Sequence, residues 1–461
     1  MSVLVGASGG AATALGSGRP GAAGAGLVEL DGRTVALFRV ASPTRADRDG
    51  ESEAETVERA LLLAGELGVP VVGVIHSVGV DPRSLAGLAA WGRVAHRAVA
   101  LSGVVPILLV VTGPCRGGLA PLLGLADHVV LTADASAYIN GPAAVAAISG
   151  ISVSPAGLGG AWVHAAGTGL ASLVVDDEDE AMAAVGALLS HLPDNWLADA
   201  PSVPTADPVD RPSHVAAAAV PDDPRAAYDV RTVLADVVDH ATLLEVHGDH
   251  ATNLVTAYAR VGGRPVAIVA NQPLFRAGTL DIKASSKAAR HVQAADAANL
   301  GLLTVVDTPG FEPGRDLEWD GMIRHGAELV HAYAAATVPR VCVIVRKAYG
   351  GAYIVMDSKE MGSDVVLSWP RAEIAVMGAP GAVAVLNRRE IAAAHDPDAT
   401  RARLEREYRS QFCNPRIAAE RGYVDAVIDP AATRRHVVAA FGRLATKRAG
   451  LPARRHTNTP L

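Results

Sequence analysis

Cysteine is scarce: Cys115, Cys342 and Cys413 are the only three in 461 residues, and no two form a CxxC pair. A disulfide framework and a structural zinc site are therefore disfavoured, and the expected compartment is reducing. Charge is also sparse, at 19% of residues against 50% apolar, which allows a large core and argues against disorder of the whole chain. No apolar run approaches the ~20 residues needed to span a membrane. The first 26 residues are rich in Gly and Ala and lack the basic start and apolar stretch of a signal peptide. A cytoplasmic protein without a membrane partner is expected. The formal net charge is −7, and the one acidic block, Asp176-Asp177-Glu178-Asp179-Glu180, reads as the solvated start of a helix. Apart from a Lys/Arg-rich tail from Lys447 to His456, nothing is basic enough to suggest nucleic acid. No GxxxxGK[ST] loop is present, so Asp307-Thr308-Pro309-Gly310, which looks like a GTPase DxxG, has no phosphate cradle beside it. The histidines are scattered. His247 and His250 are close, but the intervening Gly248 argues a turn and a third ligand is missing, so no metal is expected. Ser77, followed by Val78-Gly79, is not a GxSxG elbow.

What is present is a strand, a glycine turn and a helix. Val341-Cys342-Val343-Ile344-Val345 reads as a buried strand and leads into Arg346-Lys347-Ala348-Tyr349-Gly350-Gly351-Ala352-Tyr353-Ile354. Helix is expected from Val355 to Glu360. Amides in a first helical turn lack an intrahelical acceptor and sit at the positive end of the helix dipole. Small residues there let a ligand approach, so the turn suits a developing oxyanion, although a plain helix-packing connection has the same pattern.

A second copy favours the oxyanion reading. Ser102 to Gly118 lies over Ala335 to Gly351 without a gap, Gly32-Arg33-Thr34-Val35-Ala36 echoes Gly263-Arg264-Pro265-Val266-Ala267, and Tyr138 to Pro142 resembles Ala375 to Ala379. A spacing of roughly 230–240 residues is far beyond a solenoid period and marks a duplicated domain. The expected organisation is a flexible N-terminus (1–26), a first domain (27–200), a Pro- and Asp-rich linker (201–224), a second domain (225–450) and a tail (451–461). Helices are expected over Glu53–Leu67, Leu85–Leu101, Ala181–His191, Ser285–Asn299 and Met322–Ala336. Buried strands are expected at Val69–Ile75, Val104–Val111, Pro265–Asn271, Leu302–Asp307 and Val341–Val345. Such an alternation argues an α/β fold. No nucleophile, acid–base pair or metal stands out, leaving two backbone N–H turns, a pattern suited to two carbonyl-type oxygens becoming negative together.

The motifs Ala259-Arg260-Val261-Gly262-Gly263-Arg264-Pro265-Val266, Ala270-Asn271-Gln272-Pro273, Asp307 to Phe311, Ile323 to Ala327, Arg346 to Tyr353, Ala372 to Ala379 and Glu420 to Ile428 occur in order. Through them the chain resembles the carboxyltransferase β subunits of biotin-dependent acyl-CoA carboxylases, in the propionyl-CoA and acetyl-CoA branch. The resemblance implies tandem duplicated crotonase-like (ββα spiral) domains and ring-shaped hexamers whose active sites lie between the N-domain of one subunit and the C-domain of its partner. It implies that Gly117 and Gly118 hold the acyl-CoA thioester oxygen. The turn at Tyr349, Gly350, Gly351 and Ala352 would bind biotin, with Gly351 and Ala352 on the ureido oxygen. Carboxybiotin would release CO2, the biotin anion would take the α-proton, and the enolate would attack CO2. Biotin would be carried on a separate protein, with a biotin carboxylase/biotin carrier α subunit as partner. Ile354, at the position that tunes acyl preference, suggests an acetyl-type or broader choice. Departures fall in the first half: His76-Ser77-Val78-Gly79 and a short loop to Ser84 replace a longer CoA-bordering segment, Arg116 replaces a small residue, and Pro121-Leu122-Leu123 replaces an aromatic and Ser-Pro.

The expected function is transfer of CO2 from carboxybiotin to acetyl-CoA or propionyl-CoA. The alternatives are a half-active or non-catalytic partner in a mixed ring with a paralogue, and a decarboxylase subunit running the chemistry backwards.

Overall fold

The computed structural model describes residues 13–14, 23–42, 50–81, 83–447, 449–458 and 460. Most of the N-terminal stretch read as flexible lies outside them. The chain divides into two compact units. The first comprises Met1–Pro201 with Val246–His250 and Ala297–Asn299; the second comprises Ser202–Glu245, Ala251–Asp296 and Leu300–Leu461.

The first unit is built on strands β1 (Thr13–Ala14), β2 (Ala23–Leu30), β3 (Arg33–Ser42), β4 (Val71–Ser77), β5 (Ile107–Arg116), β6 (His128–Thr132), β7 (Ser136–Tyr138) and β8 (Leu173–Val175). They form one sheet in the order β1-β2-β3-β4-β5-β6-β8, with β7 also paired to β5. The β2–β3 pair is an antiparallel hairpin closed by Asp31 and Gly32, both at positive φ (49° and 77°), as a two-residue primed turn requires. From β3 onward the pairings are parallel. Helices Gly50–Leu67 and Leu85–Leu101 make the crossovers. Ser84 caps the second of these, accepting from the Gly87 amide at 3.0 Å. Parallel strands covered on both faces read as continuous apolar runs, and Leu108 to Val111 are fully buried. Phe38, Leu61, Ile75, Leu109 and Leu131 centre the core. Each such burial contributes about 1.5–3 kcal/mol before entropy is counted.

The second unit repeats this programme. Strands β9 (Leu244–Val246), β10 (Leu254–Val261), β11 (Arg264–Asn271), β12 (Gly301–Thr308), β13 (Arg340–Tyr349), β14 (Val365–Ser368), β15 (Glu373–Ala375) and β16 (Ala426–Val427) form a sheet in the order β16-β14-β13-β12-β11-β10-β9, with β15 paired to β13. Gly262 and Gly263, again both at positive φ, close its antiparallel hairpin. The correspondence extends to irregularities. The β4–β5 register slips between Ile75 and Ser77, bringing Ser77 opposite Cys115, and the β12–β13 register slips between Val306 and Thr308, bringing Thr308 opposite Ala348. Both slips sit just before the glycine turns.

Two expectations need correction. The stretch read as a linker is packed structure: it carries helix His214–Ala219, Ser213 and Ala216 are fully buried, and the Ser213 amide donates to the Ala431 carbonyl at 2.7 Å. The helix expected from Val355 begins instead at Gly350 and ends at Val355, so the glycines are its first turn. Among the described residues no helix is long and apolar enough to cross a membrane.

Candidate functional site

Each glycine turn opens at the carboxyl end of a central parallel strand. Gly117 and Gly350 occupy equivalent places after β5 and β13, and both adopt left-handed backbone (φ 67° and 59°). A side chain would be strained at either position. Gly117–Leu119 forms a single 3-10 turn with Arg116 at its N-cap, and Gly350–Val355 forms a short α-helix with Tyr349 at its N-cap. Neither cap position uses its side chain, and amides of a first turn have no acceptor within their own helix. Gly118, Gly351 and Ala352 supply the next such amides.

The surroundings of the two turns differ. A Cβ built on Gly117 would meet nothing within 4 Å, whereas one on Gly118 would touch Leu88 and Trp91. At the second turn a Cβ on Gly350 would lie 3.2 Å from the Val376 carbonyl oxygen, and one on Gly351 would lie 3.3 Å from the Phe311 ring. Gly351 is exposed while Ala352 is fully buried. The Tyr349 ring packs against Gly378, and its hydroxyl donates to Glu373, which Arg409 pairs with at 3.0 Å. Burial, reinforced by that bond, raises the Tyr349 pKa, so the phenol stays protonated. Ile354 is 48% exposed, on the outer side of the helix.

The loops that precede the turns also match. The Gly79 amide donates to Ser77 Oγ at 3.1 Å and the Gly310 amide to Thr308 Oγ1 at 3.3 Å. Ser77 is thus a buried turn former. The DxxG-like loop takes a structural part as well: the Asp307 carboxylate accepts from Arg346 Nε at 2.8 Å, the Tyr228 hydroxyl at 2.9 Å and the Lys347 amide at 3.1 Å. Burial raises the Asp307 pKa and Arg346 opposes that rise. This cluster ties the ends of β12 and β13 together and fixes where Gly350 begins. Sequence reading missed it, although an arginine closing an otherwise apolar strand signals a buried partner. Lys347 is half-buried, and burial together with neighbouring Arg346 lowers its pKa. It faces a pocket of about 430 Å³ that Val220, Arg346, Trp369, Arg371 and Glu373 also line.

Other sequence candidates take no part. His247 contacts Ser172 and His250 contacts the Ala166 carbonyl, and no metal-holding cluster exists among the described residues. All three cysteines are buried, and burial pushes the Cys115 thiol up to about 12, out of reach as a nucleophile.

Comparison with known proteins agrees with this architecture. The carboxyl transferase domain matches residues 21–459. The propionyl-CoA carboxylase beta chain of Saccharopolyspora erythraea is 44% identical over 446 residues, covering 94% of this chain and 82% of that one. The methylmalonyl-CoA carboxyltransferase 12S subunit of Propionibacterium freudenreichii subsp. shermanii is 44% identical over 424 residues, covering 92% of this chain and 80% of the other. A crystal structure of transcarboxylase 12S, with methylmalonyl-coenzyme A and methylmalonic acid bound, superposes with a TM-score of 0.92 at 42% identity, covering 95% of this chain and 85% of that one. With its twin sheets and paired glycine turns, this chain belongs to the carboxyl transferase family and is an enzyme of the crotonase-like fold.

Proposed function

We propose that the chain is the carboxyltransferase subunit of a biotin-dependent acyl-CoA carboxylase, moving a carboxyl group from biotin on a separate carrier to the α-carbon of acetyl-CoA or propionyl-CoA. The observation that carries the reading is the pair of left-handed glycines, Gly117 and Gly350, at equivalent strand ends of two repeats. Gly117 and Gly118 present amides to the thioester oxygen. As the α-proton leaves, charge gathers on that oxygen, and amides already in place stabilise it without reorganising. Open space in front of Gly117 lets the thioester come close.

The second turn fits biotin. Gly351 is exposed, its amide and that of Ala352 belong to a first helical turn, and the Phe311 ring beside Gly351 offers an apolar wall. Tyr349, held by Glu373, fixes the start of this turn, and Gly350 supplies its left-handed bend. When bound there, biotin supplies the carboxyl group. Ile354, apolar and half-exposed, bears on acyl preference and favours acetyl or a broader range. As in the transcarboxylase 12S relative, whose structure is described as a hexamer assembly, a homo-hexamer is part of this proposal, with a biotin carboxylase/biotin carrier subunit as partner.

The test uses purified full-length protein, carboxybiotinylated carrier and several acyl-CoAs. Acyl-dependent transfer is expected, and Gly117→Val should weaken acyl-CoA affinity and lower turnover by roughly 100-fold or more. Absence of transfer with every acyl-CoA would sink the reading. Unchanged affinity and turnover in Gly117→Val would remove the thioester from the first turn.

A further inference from the structure

We infer that Arg116 and Tyr138 form a subsite beside the first glycine turn that receives a carboxylate carried on the acyl group of the thioester. The inference rests on the placement of the thioester at Gly117 and Gly118 proposed above, and it extends the acyl groups accepted there beyond acetyl and propionyl to those that carry a second carboxylate. Arg116 ends β5, Tyr138 ends β7, and the parallel pairing sets them side by side. The guanidinium carbon lies 5.3 Å from the centre of the Tyr138 ring. Arg116 Nε and the Tyr138 hydroxyl are both shut off from solvent, and neither has a hydrogen-bond partner; Tyr138 is only 9% exposed. Arg116 makes no ion pair among the described residues.

Buried polar groups are normally satisfied, and leaving one unmade is costly. Here two neighbouring groups are unmade at once, and each can donate. Their common requirement is an acceptor, and the guanidinium's charge makes an anion the best one. The planar fork of arginine matches a carboxylate in particular. The second unit shows the contrast. Tyr349 stands where Arg116 does, and its hydroxyl is satisfied by Glu373, itself paired with Arg409. Among the described residues no comparable partner serves Arg116, and a ligand's anion would supply the complement. Arg116 directly precedes Gly117, whereas the phosphates of coenzyme A lie at the far end of the pantetheine arm from the thioester. A carboxylate on the acyl side is therefore within reach, as in the thioester of a dicarboxylic acid.

Calorimetric titration of the full-length protein with propionyl-, succinyl- and glutaryl-CoA, and with propionyl- and succinyl-pantetheine, tests this. Wild type should bind at least one dicarboxylic thioester about tenfold or more tightly than propionyl-CoA. Arg116→Ala should abolish that ratio, Tyr138→Phe should reduce it, and Arg116→Lys should keep part of it, all with unchanged unfolding midpoints. No preference in wild type, or the same preference in Arg116→Ala, overturns the subsite. Equal weakening of propionyl- and succinyl-CoA in Arg116→Ala that disappears with the pantetheine thioesters would move the anion to the phosphates and overturn the acyl assignment. Failure of every thioester to bind wild type overturns the placement at Gly117 and the subsite together. Binding without the ratio overturns the subsite alone.

Discussion

The two glycine turns share a backbone but are held in place by different chemistry. In the second unit the ends of β12 and β13 are locked by charge, with Asp307 gripping Arg346, the Tyr228 hydroxyl and the Lys347 amide. At the equivalent places in the first unit stand His76 and Gly113. There the lock is one of shape, because the His76 ring lies so close to Gly113 that a Cβ would fall 2.6 Å from it. The same division runs through the cores. The second unit buries Arg340 against Asp357 at 3.1 Å and Arg434 against Asp239 at 2.7 Å, whereas ion pairs of the first unit such as Arg33 with Asp194 and Arg39 with Glu178 stay partly exposed. A duplicated fold can thus preserve a turn while exchanging what fixes it, and the two halves should fail under different insults.

The largest effect is expected where charge is removed from one side only. Arg346→Met leaves Asp307 buried without its cation and should cost about 3–5 kcal/mol in urea unfolding. Pairing it with Asp307→Leu should recover most of that loss, because a buried ion pair replaced as a unit is often close to neutral. If the single variant costs under about 1 kcal/mol, the second turn is not held by charge. In the first unit the corresponding insult is size. Gly113→Ala forces a methyl into the His76 ring and should cost about 1–3 kcal/mol, relieved by adding His76→Ala. Failure of that second substitution to relieve the strain would break the contrast.

How much of this was legible in the sequence follows from where each signal resides. Helix Leu85–Leu101 and strands β4, β5, β12 and β13 were readable because their apolar periodicity is local. The turns were readable because they occur twice. Helix Pro142–Ser149 was not, since its Ala-, Val- and Ile-rich run lacks a polar face, and none of its residues is buried. Residues 201–224 read as a linker because Pro and Asp dominate them. What anchors this part of the chain is distant: the Ala216 amide donates to Asp236 and Arg434 Nε donates to the Pro208 carbonyl, across 20 and 226 residues. Such pairings, like Asp307 with Arg346, have no local period to betray them. The Arg116–Tyr138 contact was half visible, with an arginine against the glycine pair but no hint of the ring beneath it.

A smaller effect sharpens the comparison at the N-caps. Tyr349→Phe deletes the bond to Glu373 at the start of the second turn and leaves a partly buried carboxylate with Arg409 alone. A loss of about 1–2 kcal/mol is expected, seen as a lower unfolding midpoint. Turnover should fall more than stability does, because the turn's position and not the fold is what the bond fixes. Equal stability and turnover in the variant would show that Gly350 and Phe311 position the turn unaided.

The smallest and most specific difference is one of pH. Asp357 is fully buried beside Arg340, Thr304 and Ser363, and burial raises its pKa to about 6 against the opposing pull of Arg340. A carboxyl whose folded pKa exceeds its unfolded value takes up its proton first in the folded state. Its contribution to stability therefore grows as pH falls through about 6 and levels off below about 4, the range of an unfolded aspartate. In Asp357→Asn that contribution is absent. The stability of wild type relative to the variant should rise on acidification from pH 7 to pH 4.5, whichever chain is the more stable at pH 7, although both lose stability overall as other carboxylates are protonated. A relative stability that stays constant or falls would show that Asp357 remains ionised against Arg340 throughout. The second unit would then carry Asp357 as a fixed buried charge against Arg340, with no proton to exchange over that range.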